Sequence, residues 1–282
     1  MEDDMTVYAM LGGDPADVAG ELTVAGALAK RLSTHLKGLI VMPDPASAAV
    51  YVAGPDMVMT GSAGITAIEK AQEAAVASLS EAFQDGVKSL GDGLSPAILN
   101  EVGEPALRAA GAAMLSKALV MPYGAVNTSH ALNPAFEHVL MTAELPLILA
   151  SETHGPDEAS MIAWDGSPQA ARAVRMHLDL IKTYSKVIIA HHPEKIRPAA
   201  SASGCADAES LSEYLRVEGL SPTVSVLSGD LSDSLLETAA ANQVGVLVMG
   251  AYGHSRLGEM LFGGTSRAML RAKQRPSLAL TH

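Results

Sequence analysis

The chain has 282 residues, 48% of them hydrophobic, and a formal net charge of −12. That length suits two domains of about 140 residues better than one, and the acidic balance argues against a nucleic-acid groove, which needs clustered Lys and Arg. Aromatic residues make up 4%, too few for base-stacking platforms, and a single cysteine, Cys205, excludes a disulfide framework within the chain.

The acidic start Met1-Glu2-Asp3-Asp4 is the reverse of a signal peptide's basic one. No apolar run reaches the roughly 20 residues needed to span a bilayer. The expectation is a soluble, cytoplasmic protein with no membrane or nucleic-acid partner.

In chain order, Thr6–Leu11 reads as a strand ended by Gly12-Gly13-Asp14-Pro15. Val18–Leu32 has apolar residues at helical spacing. Leu36–Met42 is a second strand, and Ala63–Leu90 a long helix. Strands at Ala97–Val102, Ala118–Met121 and Leu147–Ala150 enclose helices at Pro105–Leu115 and Phe136–Ala143. The second half begins with a strand at Ser160–Trp164, stopped by Asp165-Gly166-Ser167-Pro168. A helix over Ala170–Ile181, a strand over Lys186–Ala190 and a helix over Ala206–Val217 follow. Next come a strand at Thr223–Leu227, a helix at Ser232–Ala241, and strands at Val244–Met249 and Ser277–Thr281. Strands alternating with helices predict an α/β fold with parallel sheets covered on both faces.

The halves repeat each other. Val102-Gly103-Glu104 echoes Ser228-Gly229-Asp230. The run Ala118-Leu119-Val120-Met121-Pro122-Tyr123-Gly124 echoes the run from Val246 to Gly253, and Leu145-Pro146-Leu147 echoes Arg275-Pro276-Ser277. The expected domains are 1–150 and 160–282, joined by a linker over 151–159.

The segment from Val246 to Arg267 carries the most chemistry. A buried-type strand ends at Met249-Gly250. Gly253 follows, then nine residues, then Gly263-Gly264-Thr265-Ser266 at a helix start. Glycines let the main chain approach an anion closely. A helix start offers free N–H groups and the positive end of its dipole. Thr265 and Ser266 add hydroxyl donors or cap the helix. The alternative is that these glycines only make a tight turn and stop a helix. The spacing is neither a P-loop nor the dinucleotide fingerprint.

At these residues the sequence resembles the universal stress protein family, whose nucleotide-binding members carry glycines at this spacing followed by Ser or Thr. Gly250, Gly253 and Gly263 match; Gly264 departs, and Ser266 falls where a second hydroxyl is common. The resemblance implies two tandem doubly wound parallel-sheet domains arranged as a pseudo-dimer. It implies a stress-response regulatory protein binding ATP or another adenine nucleotide, with or without Mg²⁺, in the second domain. The implied nucleotide-binding residues are Asp165, His192, Met249, Gly250, Gly253, Gly263, Gly264, Thr265 and Ser266. Asp165 stands in an Asp-Gly-Ser context like the family's adenine-contacting Asp, though an Asp there can equally cap the next helix. The role of His192 would be a main-chain contact to adenine. The first copy has Pro122 and about Asn133-Pro134 in place of the key glycines, so the resemblance is strong over 160–282 and architectural over 1–150.

His191-His192 does not chelate well, because adjacent residues of a strand face opposite ways, and no metal site is expected. No nucleophile–base–acid set stands out, and no catalytic residue is assigned. The rival readings are a slow ATP hydrolase on the same site and a ligand-free scaffold acting through protein partners. In the resembled family, single-domain members pair their last strands across a two-fold axis. The last strands of the two copies here are therefore expected to meet antiparallel, burying Leu147, Leu149, Leu278 and Leu280. Homodimerisation of the whole chain stays open.

Overall fold

The structure is a computed structural model that describes residues 6–48, 62–94, 96–152, 157–195, 207–251 and 264–282. It divides into two compact units, Met1–Val139 and Leu140–His282.

In the first unit β1 (Thr6–Leu11) leads into α1 (Val18–Arg31), β2 (His35–Met42), α2 (Ser62–Ser89) and β3 (Pro96–Val102). Then come α3 (Pro105–Leu115), β4 (Ala118–Met121) and the short α4 (Asn133–Glu137). All strand pairings among β1 to β4 are parallel, in the order β3-β2-β1-β4. A parallel pair needs a crossover, and α1, α2 and α3 supply it. Val7, Ala9, Leu36, Ile40, Leu119 and Val120 are fully buried, as strands covered on both faces must be.

The second unit opens with β5 (Leu147–Leu149) and β6 (Ala159–Trp164), then α5 (Pro168–Met176) and α6 (Leu178–Ile181). It continues through β7 (Lys186–His191), α7 (Ala208–Val217), β8 (Thr223–Val226), α8 (Leu231–Ala241), β9 (Val244–Gly250), α9 (Gly264–Arg271) and β10 (Ser277–Thr281). β6 pairs parallel with β7 on one side and β9 on the other. β9 continues to β10, and β7 to β8. Strands β6 to β10 thus take the order β8-β7-β6-β9-β10, the doubly wound arrangement expected from the alternation of elements.

The expected pairing of last strands is present. β5 lies antiparallel to β10, with Leu149 opposite Leu278 and Leu147 opposite Leu280. All four leucines are buried, each worth roughly 1.5–3 kcal/mol of apolar transfer. The N–H of Ser151 also donates to Oγ of Ser277 at 3.2 Å. This pairing places β5 with the second unit, so the compact units divide at 139/140 although the repeat suggests 150.

Two helices differ from the sequence reading. The helix expected over Phe136–Ala143 begins three residues earlier, at Asn133, with Pro134 in its first turn, and His138–Thr142 winds as a π-helix. Phe136, Val139 and Leu140 are all buried, and the wider turn suits the adjacent pair Val139-Leu140. The helix expected over Ala170–Ile181 breaks at His177 (φ −104°, ψ 17°). Its imidazole Nε2 lies 3.2 Å from the carbonyl oxygen of Leu280 on β10, so a tertiary contact holds it where the helix ends.

Candidate functional site

In a doubly wound sheet a ligand crevice opens at the carboxyl ends of the strands where the strand order reverses. Here that point lies between β6 and β9. After β6 the chain turns through Asp165 and Gly166, whose φ of 72° favours glycine. Oδ1 of Asp165 accepts the N–H of Ser167 at 2.9 Å, closing an Asx turn. The buried hydroxyl of Ser167 accepts the N–H of Ala170 at 3.1 Å, and Pro168 occupies the first helical position. The cap of α5 is therefore Ser167. Of the two roles open to Asp165, the helix cap falls to its neighbour, and Asp165 shapes the turn that forms one wall.

Gly250 ends β9 against that helix start. A Cβ on Gly250 would fall 2.7 Å from the backbone of both Gln169 and Ala170. Only glycine lets the strand end and the first turn of α5 touch, which sets the end of β9 against the helix that follows the Asp165 turn. Met249 is buried behind Gly250, and Ala251 beside it. Gly253 and Gly263, with His254 and Cys205, lie outside the described residues. Gly264, Thr265 and Ser266 form the first turn of α9. A Cβ on Gly264 would meet nothing within 4 Å among the described residues.

At the end of β7, His191 and His192 are buried. Nε2 of His192 lies 3.2 Å from the carbonyl oxygen of Gly229. A carbonyl only accepts, so this nitrogen carries the proton in the neutral ring and Nδ1 is left as an acceptor. That Nδ1 is buried and has no partner among the described residues. The carbonyl of His192 accepts the N–H of Lys195 at 2.9 Å. Beside it, the indole N–H of Trp164 donates to the carbonyl of Asp207 at 3.2 Å. Oδ1 of Asp207 accepts the N–H of Ser210, which holds its carboxyl below the ordinary value, with a smaller contribution from His191. Among the described residues no group of three His, Cys, Asp or Glu is placed to hold a metal ion.

The first unit builds the same strand–turn–helix after β1. Gly13 has φ 85°, Asp14 caps the next turn through Oδ1 to the N–H of Ala16 at 2.9 Å, and Pro15 follows. Gly13, Asp14 and Pro15 thus correspond to Gly166, Ser167 and Pro168, and Gly12 stands where the second unit has Asp165. The crevice between β1 and β4 is filled from within. A Cβ on Gly13 would lie 2.8 Å from Nε2 of His130, and one on Gly124 2.9 Å from the same ring. A Cβ on Gly12 would lie 2.8 Å from Cδ2 of Leu132. Nδ1 of His130 accepts the N–H of Leu132 at 3.1 Å, and Nε2 is 3.9 Å from Oδ2 of Asp17. Burial lowers the basicity of His130, and Asp17 opposes it. Sequence reasoning saw the lost glycines of this copy but missed His130 and Leu132, since nothing in an isolated loop says which side chain turns inward. It also missed Ser167, Trp164 and Asp207, though the Ser-Pro step before a helix is a readable cap signal.

Each unit is thus an α/β fold with a mostly parallel sheet. Residues 160–278 match the sequence model of the Universal stress protein family. No curated protein is similar enough to this chain to count as a match. Among solved structures, a universal stress protein from Archaeoglobus fulgidus DSM 4304 is 14% identical, with a TM-score of 0.63. It covers 100% of this chain and 99% of its own. A functionally unknown protein from Pseudomonas aeruginosa PAO1 is 13% identical over 98% of this chain and 92% of its own, with a TM-score of 0.48. At these identities the likeness is one of fold, and it rests on the first. No helix among the described residues is long and apolar enough to cross a membrane.

Proposed function

We propose that this protein is a stress-response regulator that binds an adenine nucleotide, ATP in the first instance, in the crevice of its second unit. The observation that carries the reading is the contact of Gly250 with the first turn of α5 at the β6/β9 switch point. Gly250 is also the first glycine of a sequence with the spacing of a phosphate loop, and α5 follows the turn bearing Asp165. Asp165 would take a proton from an adenine amino group or a ribose hydroxyl. The Nδ1 of His192, without a partner among the described residues, is a second buried acceptor of the kind an exocyclic amino group needs. Gly250, Gly253, Gly263 and Gly264 would let the main chain approach the phosphates, and Thr265 and Ser266 would donate to them from the start of α9. Mg²⁺ is expected only as a companion of the phosphates. The single cysteine suits a reducing, cytoplasmic setting.

The first unit is proposed to bind none, because His130 and Leu132 occupy its crevice. Mass spectrometry of small molecules released from the denatured protein, followed by calorimetric titration with ATP, tests both statements. One nucleotide per chain is expected; two equivalent sites would refute the asymmetry, and no binding would refute the reading. Turnover lost on changing one residue, with binding kept, would instead favour a slow ATP hydrolase. A chain that takes no nucleotide would favour the scaffold.

A further inference from the structure

The two backbone groups of Ala251, the residue between Gly250 and the rest of the glycine-rich segment, are both held by the end of the last strand. Its N–H donates to the carbonyl of Thr281 at 2.8 Å. Its carbonyl lies 3.2 Å from Nδ1 of His282; a carbonyl only accepts, so Nδ1 is the donor. The main-chain oxygen of His282 in turn accepts Nε–H of Arg172 at 2.8 Å. Arg172 stands on α5, and the first turn of α5 is the surface against which Gly250 packs. The contacts therefore close a ring from α5 through Arg172, His282, Ala251 and Gly250 back to α5. One helical turn beyond Arg172, the buried His177 donates from Nε2 to the carbonyl of Leu280 at 3.2 Å, with Oγ1 of Thr281 at 3.5 Å. The same helix is thus tied to the last strand at two heights.

We propose that Arg172 and His282 are positioning residues for the crevice, holding the Gly250–Ala251 stem at a set distance from the α5 wall and so setting the affinity for a phosphate-bearing ligand. The inference rests on the nucleotide reading above. Its physical content is preorganisation: a stem already ordered before binding spares the ligand the cost of ordering it. Neither residue needs to touch the ligand.

The test uses the full chain and three variants. His282→Asn places an amide N–H near the position of Nδ1 and keeps the donor; His282→Phe keeps a ring and removes the donor; Arg172→Met keeps the stem of the side chain and removes Nε. Two quantities are measured: affinity for ATP, with and without Mg²⁺, by calorimetry, and exchange of the Ala251 amide in ligand-free protein. His282→Phe and Arg172→Met should weaken ATP binding roughly three- to tenfold, the worth of one hydrogen bond, and speed Ala251 exchange. His282→Asn should stay within about twofold of the parent on both counts, short of that loss. Should His282→Phe fail to fold, Arg172→Met opens the same ring from its other end. Unchanged affinity and exchange in the two disruptive variants would overturn the proposal. So would a His282→Asn variant as weak as His282→Phe, which would mean that ring packing and not the donor matters. If the parent itself binds no ATP, the nucleotide reading fails. The ring is then judged by Ala251 exchange alone, with an unchanged rate counting against it.

Discussion

Replacing Gly250 by alanine adds one carbon where the end of β9 meets the first turn of α5. That carbon would sit 2.7 Å from the carbonyl carbon of Gln169 and the nitrogen of Ala170, and 2.8 Å from Cβ of Gln169. Ordinary carbon contacts lie at about 3.5–4.0 Å, so strand and helix must part by close to an ångström. Two of the three obstructing atoms are backbone. The helix start is fastened by the Ser167 cap, and β9 is hydrogen-bonded between β6 and β10. Overpacking against elements that cannot swing aside costs about 1–3 kcal/mol, and the upper half of that range is expected here. Gly264→Ala is the internal control, because its Cβ meets nothing within 4 Å among the described residues. In the first turn of α9 the exchange should be neutral or stabilise by up to about 1 kcal/mol. Urea unfolding followed by the fluorescence of Trp164, the chain's one tryptophan, reports on the second unit alone. With a slope of about 1–3 kcal/mol/M, a loss of about 2 kcal/mol moves the midpoint by about 1 M. A Gly250→Ala midpoint matching the parent's would refute the account of why this position is glycine.

Two further predictions concern protons. His177 is fully buried, and burial pulls its basicity down to about 4 from the usual 6.5. The unfolded chain therefore binds the extra proton first as the pH falls. The stability held above pH 6.5 should drain away towards pH 4, by roughly 3 kcal/mol in all. A His177 ring that titrates near 6.5 by NMR would contradict this. Glu21 on α1 has the opposite sign: burial holds its carboxyl well above the ordinary value, although a backbone hydrogen bond from Met10 resists, and its Oε1 has no partner among the described residues. Folding then favours the protonated acid, and the first unit should lose stability as the pH rises above about 4.5. Glu21→Gln should slow amide exchange in α1 at pH 8 relative to the parent and give no gain at pH 4. Equal exchange at both pH values would remove the buried-acid explanation.

The alternation of strands and helices, the repeat and the glycine spacing were all legible without coordinates, because each is a local or periodic property of the chain. Thr6–Leu11, Ala118–Met121, Pro105–Leu115 and Ser277–Thr281 have the limits read from the sequence, since apolar runs bounded by Gly, Pro and Asp leave little freedom in where an element stops. The tertiary structure decided whatever depended on a partner distant in sequence. His177 ends a helix because β10, about a hundred residues on, presents a carbonyl to it. Val139 and Leu140 wind into a π-helix with both side chains buried. Asp165 reads equally well as a cap or as a ligand acceptor until Ser167 is seen to make the cap. Gly250 reads as a turn glycine until α5 is found where its Cβ would be. The filling of the first unit is likewise a tertiary fact: missing glycines mark the first copy as changed, but only packing shows His130 and Leu132 turned in against Gly12, Gly13 and Gly124. Periodicity reports which faces of an element are apolar; it carries no record of what each face will meet.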